Sequence, residues 1–246
     1  MVQLTTELMQ LLDSKDASAW SRALFALARQ SGFDQVLFGL VGSRHAKLEN
    51  AFLQSNYSQA WRERYDANRL AYVDPTVSHC LASSVPIVWA PDTFGAPSQR
   101  ELYEEACGHG IRTGVTFPIH GPNGEFGVIS FASDARPDPL FERVISHALP
   151  SLALIRDYAF ASAGRFLGQR VAAEAPPRLT RRELEVLSWV MAGKSSWEIS
   201  RITNCSEATV NFHMANVRQK FNVNTRQQAV VKAIALGLIT PEDHHR

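Results

Sequence analysis

Between Glu207 and Lys220 the string EATVNFHMANVRQK sets side chains able to recognise a nucleic acid at helical spacing. If Val210, Met214, Val217 and Phe221 form the buried stripe, the outward face carries Glu207, Ala208, Asn211, Ala215, Arg218 and Gln219. Thr209, His213, Asn216 and Lys220 lie beside it. Asn can pair through its amide with adenine in the major groove, while Arg, Lys and Thr hold phosphates or read guanine. A solvated amphipathic helix would carry a similar face, so the surrounding elements must decide.

Those elements favour recognition. Thr180 with Glu183 is a capping-box pair opening a helix with Leu184, Leu187, Val190 and Met191 on its apolar face, and Gly193 closes it. Ser195 or Ser196 opens a short second helix containing Ile199 and Ile202, and Ser196 joins the residues expected to face DNA. Cys205 and the N-cap candidate Ser206 then start the third helix. Helix, short turn and helix is the arrangement that lays the later helix in a major groove. A last helix, Thr225 to Leu236, has more apolar residues than so small a bundle can bury. A two-fold partner would cover the excess and match palindromic half-sites.

The first two thirds reads differently. Ala17 to Gln30 is helical, with Gly32 as its C-cap, and Gln35 to Val41 and Ala51 to Leu53 are short apolar strands. Ser58 to Arg69 and Ser98 to Cys107 are helical, and Gly114 to His120, GPNG and Glu125 to Ala132 form a hairpin. Asp138 to Ala161 is a long helix with Phe141, Val144, Ile145, Ala148, Leu152 and Ile155 as its apolar positions. Its Pro150 is a candidate kink. The fold expected is α+β: an N-terminal α/β/α sandwich on a mostly antiparallel sheet with room for a ligand, then an all-α helix-turn-helix bundle. Residues 1–163 form the first domain, 164–178 a linker ending in a Pro pair, and 179–246 the second.

Composition narrows the function classes. No stretch reaches the roughly 18 apolar residues that span a bilayer, and no secretory leader is evident, so the expected location is cytoplasmic. Residues 176–246 hold ten Lys/Arg and six Asp/Glu, whereas residues 1–175 hold fifteen and eighteen, so a basic module follows an acidic one. Cys80, Cys107 and Cys205 fit neither a disulfide framework nor a zinc site and are expected reduced and buried. His79 beside Cys80 lacks the orienting partner of a nucleophile, and neither HxH nor GxSxG spacing occurs, so neither an enzyme nor a metal site is expected. A phosphorylation-driven regulator would need an acidic pair and a phosphoacceptor Asp after early strands, and neither is found. Taken alone, Trp61, Tyr65 and Trp89 read as core aromatics and Asp74 before Pro75 as a turn residue.

Over nearly its whole length the sequence resembles the LuxR family of acyl-homoserine-lactone quorum-sensing transcriptional regulators. The likeness rests on Glu183, Leu187 and Gly193 within RELEVLSW and GKSSWEI, and on Trp61, Tyr65, Asp74, Pro75, Trp89 and Gly114. The strings NYSQAWRERYD, VDPTVSHC and LITP are closest to the LasR-like branch. The resemblance implies that Trp61 donates to a lactone carbonyl, Asp74 accepts from the ligand amide, and Tyr57 and Ser130 donate to the amide carbonyl. It implies that Thr76 helps to hold Asp74, that Arg62 lies near a 3-oxo group, and that Tyr65 and Trp89 complete the wall. The tail positions are Leu37, Gly39, Ala51, Val77 and Cys80, with Phe126 and Val128 where the branch has smaller residues and Phe94 where tyrosine is usual. A long-chain N-acyl-homoserine lactone is thus the implied effector. No cofactor is implied. The implied partners are a second copy of the chain, double-stranded operator DNA and RNA polymerase.

Overall fold

A computed structural model of the protein describes residues 2–43, 46–170 and 178–240. Its internal contacts divide it into two compact units, Met1–Val171 and Ala172–Arg246.

The first unit is built on a five-stranded antiparallel sheet ordered β2-β1-β5-β4-β3, with β1 at Gln35–Val41, β2 at Phe52–Ser55, β3 at Ile87–Val88, β4 at Thr113–His120 and β5 at Phe126–Ser133. The expected hairpin is β4–β5, in register from Thr113 opposite Ser133 to His120 opposite Phe126. Gly124, at φ 90°, supplies the left-handed turn residue of GPNG. Alternation along the strands sends Val36, Phe38, Leu40, Val115, Phe117, Ile119, Ile129 and Phe131 to one face.

That face is covered by α1 (Val2–Asp13), α2 (Ala17–Gln30) and α6 (Pro139–Arg170). Trp20 of α2 is fully buried against Phe38, edge to face at 4.9 Å, and its indole donates to Ser162 Oγ at 2.7 Å. The other face meets α3 (Gln59–Ala67), α4 (Pro75–Ala82) and α5 (Pro97–Gly108), with α4 on β4 and β5. The sandwich is α/β/α, as its patterning implied.

Three local expectations are corrected. α6 continues past Ala161 to Arg170, through the first residues assigned to a linker, because Ala163 and Phe166 enter the core with Leu8 and Leu11. Arg165 also donates to the carbonyls of Leu11 and Leu12. Val144, expected inside, is 39% exposed. Of the three cysteines, all free, only Cys80 is buried and the other two are half-buried. The remainder of the expected linker, 171–177, lies outside the described residues.

The second unit is four helices, α7 (Arg181–Met191), α8 (Ser196–Ile202), α9 (Glu207–Phe221) and α10 (Arg226–Ala235). Each begins at a Ser or Thr whose side chain accepts a first-turn N–H: Thr180, Ser195, Ser206 and Thr225. Val186, Leu187, Ile199, Val210, Met214, Val217 and Phe221 close the core. Val231 at 66% exposed, with Ile234 and Leu236, forms the uncovered apolar part of α10 and its C-cap.

Candidate ligand pocket and DNA-binding face

The polar end of the pocket is assembled from separate elements. Asp74 caps α4, and Pro75 at the first helical position lacks only an N–H that would have had no partner. The backbone N–H and hydroxyl of Thr76 donate to Asp74 Oδ1 at 2.8 and 2.7 Å, and Tyr65 Oη donates to Oδ2 at 2.9 Å. Burial raises the Asp74 pKa, and these hydrogen bonds offset it only in part. The buried carboxyl is therefore held by neutral hydrogen-bond donors.

Trp61 of α3 is buried, and Tyr57 stands one residue before Ser58, the N-cap of that helix. Burial, then the nearby Asp74 charge, raises the Tyr57 pKa, so its hydroxyl keeps its proton and remains a donor. Among the described residues neither the Trp61 indole N–H nor the Tyr57 hydroxyl has a hydrogen-bond partner. On the sheet, the Trp89 indole donates to Thr116 Oγ1 at 3.0 Å, and Thr116 and Ser130 hydroxyls lie 2.9 Å apart. Indole can only donate, so Thr116 accepts from it and can pass its own proton to Ser130, leaving the Ser130 proton for a partner in the cavity. Gly114 makes the relay possible. A Cβ there would overlap the Phe131 carbonyl oxygen and press on the Trp89 ring at 3.1 Å.

These groups surround a cavity of about 70 Å³ whose wall includes Tyr57, Trp61, Tyr65, Asp74, Thr76, Trp89 and Ser130. A second cavity of about 350 Å³ abuts it, sharing Leu37, Arg62, Tyr65, Val77 and Val128, and its wall adds Gly39, Ala51 and Phe126. Arg62 stands at the junction, paired with Asp66 at 2.6 Å and over the Tyr65 ring at 5.3 Å.

Of the sixteen expected ligand positions, all but Cys80 line one or both cavities. Tyr65 holds Asp74, and Trp89 presents its ring while its N–H is engaged. Cys80 lines neither cavity but is buried beside Val41 and Phe126. Burial, then the Asp74 charge, pushes its thiol up to about 12, so it stays protonated. Phe94 reaches the smaller cavity and stacks on Tyr103, 4.7 Å between centroids. Thr116 is marked in the sequence only as a polar residue between apolar Val115 and Phe117. The contribution of α5, through Leu102 and Ala106, gave no such signal.

On the second unit, Glu207, Ala208, Asn211 and Ala215 are exposed along α9, while Thr209, His213 and Arg218 are half-buried. Thr209 bonds Ser206, and Arg218 donates to the Asn224 carbonyl at 3.2 Å. Ser196 is buried and bonded to Asn211 Oδ1 at 2.7 Å, so it does not itself face outward. Lys220 is not a free phosphate-seeking cation. Its ammonium donates to Glu183 Oε2 at 2.7 Å and to the Arg178 carbonyl at 3.1 Å. Burial raises the Glu183 carboxyl, but hydrogen bonds from Lys220 and Thr180 outweigh it and leave the pKa lowered.

Comparison with known proteins decides the family. Residues 16–163 match the model of the autoinducer binding domain, and residues 177–233 that of the bacterial regulatory proteins of the luxR family. The chain belongs to the LuxR family. It is 36% identical to the transcriptional activator protein VanR of Vibrio anguillarum over 85% of this chain and 86% of that one. It is 33% identical to the quorum-sensing regulator RhlR of Pseudomonas aeruginosa over 96% and 95%. Its fold matches a structure of SdiA in complex with octanoyl-rac-glycerol with a TM-score of 0.77 at 27% identity, covering 99% of this chain and 97% of that one. This LuxR-family chain is an autoinducer-binding transcription regulator with a helix-turn-helix domain, and its relatives are regulators rather than enzymes. Among the described residues no helix is long and apolar enough to cross a membrane.

Proposed function

We propose that this chain is a cytoplasmic quorum-sensing activator that binds a long-chain N-acyl-homoserine lactone and, as a dimer, grips palindromic promoter DNA to recruit RNA polymerase. The observation that carries the ligand reading is a match of hydrogen-bonding groups. The small cavity presents unpaired donors at Trp61 and Tyr57, a third at Ser130, and one acceptor at Asp74. An acyl-homoserine lactone offers a ring carbonyl, an amide carbonyl and one amide N–H, so Trp61 takes the first, Tyr57 and Ser130 the second, and Asp74 the third. The larger cavity takes the tail, with Arg62 placed to meet a 3-oxo group.

The boundary between ligand and DNA domains falls between Arg170 and Arg178, within the expected linker. On the second domain, the exposed face of α9 enters the major groove, and the apolar excess of α10 supports pairing of two copies. Because the lactone fits only the folded pocket, it stabilises the protein by about 2.7 kcal/mol at a hundredfold excess over Kd. The test is mass spectrometry of the organic extract of protein made with lactones of graded length, alongside melting temperature. A retained long-chain lactone and a raised melting temperature are expected; an empty extract with an unchanged melt overturns the reading.

A further inference from the structure

Asn211 does not hang freely from the DNA-facing helix. Its Oδ1 lies 2.7 Å from Ser196 Oγ, and the same Ser196 oxygen receives NH1 of Arg226 at 3.1 Å. Ser196 is the first residue of α8 and buried, and Arg226 is the first residue of α10. Three helices thus meet in a chain of two hydrogen bonds whose polarity can be read from chemistry alone. A guanidinium has donors only, so Ser196 must accept from Arg226. The single hydroxyl proton of Ser196 then needs an acceptor, and the amide oxygen of Asn211 is the atom in reach. Turning that amide over would set NH2 against the serine and leave its buried proton without an acceptor. The amide is therefore fixed with its oxygen inward and its NH2 outward on the exposed face of α9.

We propose that Arg226 and Ser196 are positioning residues that turn the Asn211 amide donor outward and so bias it toward guanine, the base with two adjacent major-groove acceptors. Guanine offers two adjacent major-groove acceptors, O6 and N7, to a group that presents donors only. The familiar asparagine–adenine pair instead needs the amide oxygen turned toward the N6 amino group, and here that oxygen is turned inward to Ser196. Cytosine, presenting a donor, is repelled. Sequence choice at this base pair is thus set partly by a residue of the last helix that need not touch the base.

The inference rests on the reading of α9 as the recognition helix, and the test separates the two. Full-length protein purified with its lactone selects duplexes from a random pool, and Asn211→Ala identifies the base pair at which preference is lost. At that position the unaltered protein prefers guanine over cytosine by roughly 5- to 150-fold, and 7-deazaguanine reduces the preference. Ser196→Ala and Arg226→Gln flatten the preference there alone and raise the relative affinity for adenine, while Ser196→Thr, which restores the hydroxyl, retains guanine. Melting temperatures of all variants show whether the domain remains folded. Adenine preferred by the unaltered protein, or full guanine preference in folded Ser196→Ala, overturns this inference. An Arg226→Gln variant weakened equally on all sequences, with a shallower salt dependence, overturns the positioning role and marks Arg226 as a phosphate contact. If the loaded protein selects no duplex, it is the DNA-binding reading that fails.

Discussion

Replacing Asp74 by Asn should move two quantities in opposite directions. In the free protein the carboxyl is buried among neutral donors, with two hydrogen bonds reaching Oδ1 from Thr76 and one reaching Oδ2 from Tyr65. An Asn side chain keeps its oxygen toward Thr76 and can turn NH2 toward Tyr65, whose hydroxyl is able to accept. Removing the buried charge then stabilises the free protein by about 1 kcal/mol, or roughly 2 to 4 °C in melting temperature. The ligand amide N–H, however, now meets a donor. The lost charge-assisted hydrogen bond costs about 1.5–3 kcal/mol, an affinity roughly 10- to 150-fold weaker. Differential scanning fluorimetry with and without lactone reads both effects. The pH dependence supplies a second check. Because the folded pKa of Asp74 is raised, its contribution to free-protein stability is greatest below the unfolded carboxylate value and falls as pH climbs to the folded one. Lactone affinity rises through the same window, since the carboxylate is the acceptor, and binding releases a proton. Asp74→Asn should abolish both slopes. A variant with unchanged affinity and unchanged pH slopes would refute the assignment of Asp74 to the ligand amide.

Two further substitutions test other parts of the structure. A Cβ at Gly39 would meet Leu53 and Val128 only at 3.4 and 4.0 Å, so Gly39→Val should fold and narrow the larger cavity. Each tail methylene it excludes costs about 0.8 kcal/mol, so competition binding should show preference moving to shorter lactones. Lys220→Met leaves the Glu183 carboxylate, which is 2% exposed, with its Thr180 partner alone, and should destabilise the DNA-binding domain by about 1–3 kcal/mol in chemical denaturation. Since the Glu183 pKa is lowered, the stabilisation is present above the unfolded carboxylate value and fades as pH falls through the folded one, a fade the variant should lack.

Legibility from sequence followed the range of the interactions involved. The four helix starts of the second unit were readable because Thr180, Ser195, Ser206 and Thr225 accept from N–H groups three residues on. The β4–β5 hairpin was readable for the same reason, its turn chemistry being contiguous. By contrast, α6 runs to Arg170 because of backbone carbonyls and apolar side chains more than 150 residues away on α1, which no local window contains. Lys220 was assigned to phosphate for want of its partner Glu183, 37 residues earlier. The pocket residues fell in between. Trp61, Asp74 and Trp89 were ambiguous as residue types and gained meaning from the family resemblance, while the hydroxyl relay through Thr116 needed the register of β4 against β5.

The strand order has a consequence for the newly made chain. β1 sits between β2 and β5, and roughly 85 residues separate the end of β1 from the start of β5. At about 5–20 residues per second of synthesis, the centre of the sheet stays open for roughly 4 to 17 s after β1 leaves the ribosome. During that interval one edge of β1 and its apolar face await their partner, exposed to proteases and to self-association. The cavity wall includes Leu37 of β1 and Ser130 of β5, so the pocket is completed only when β5 arrives.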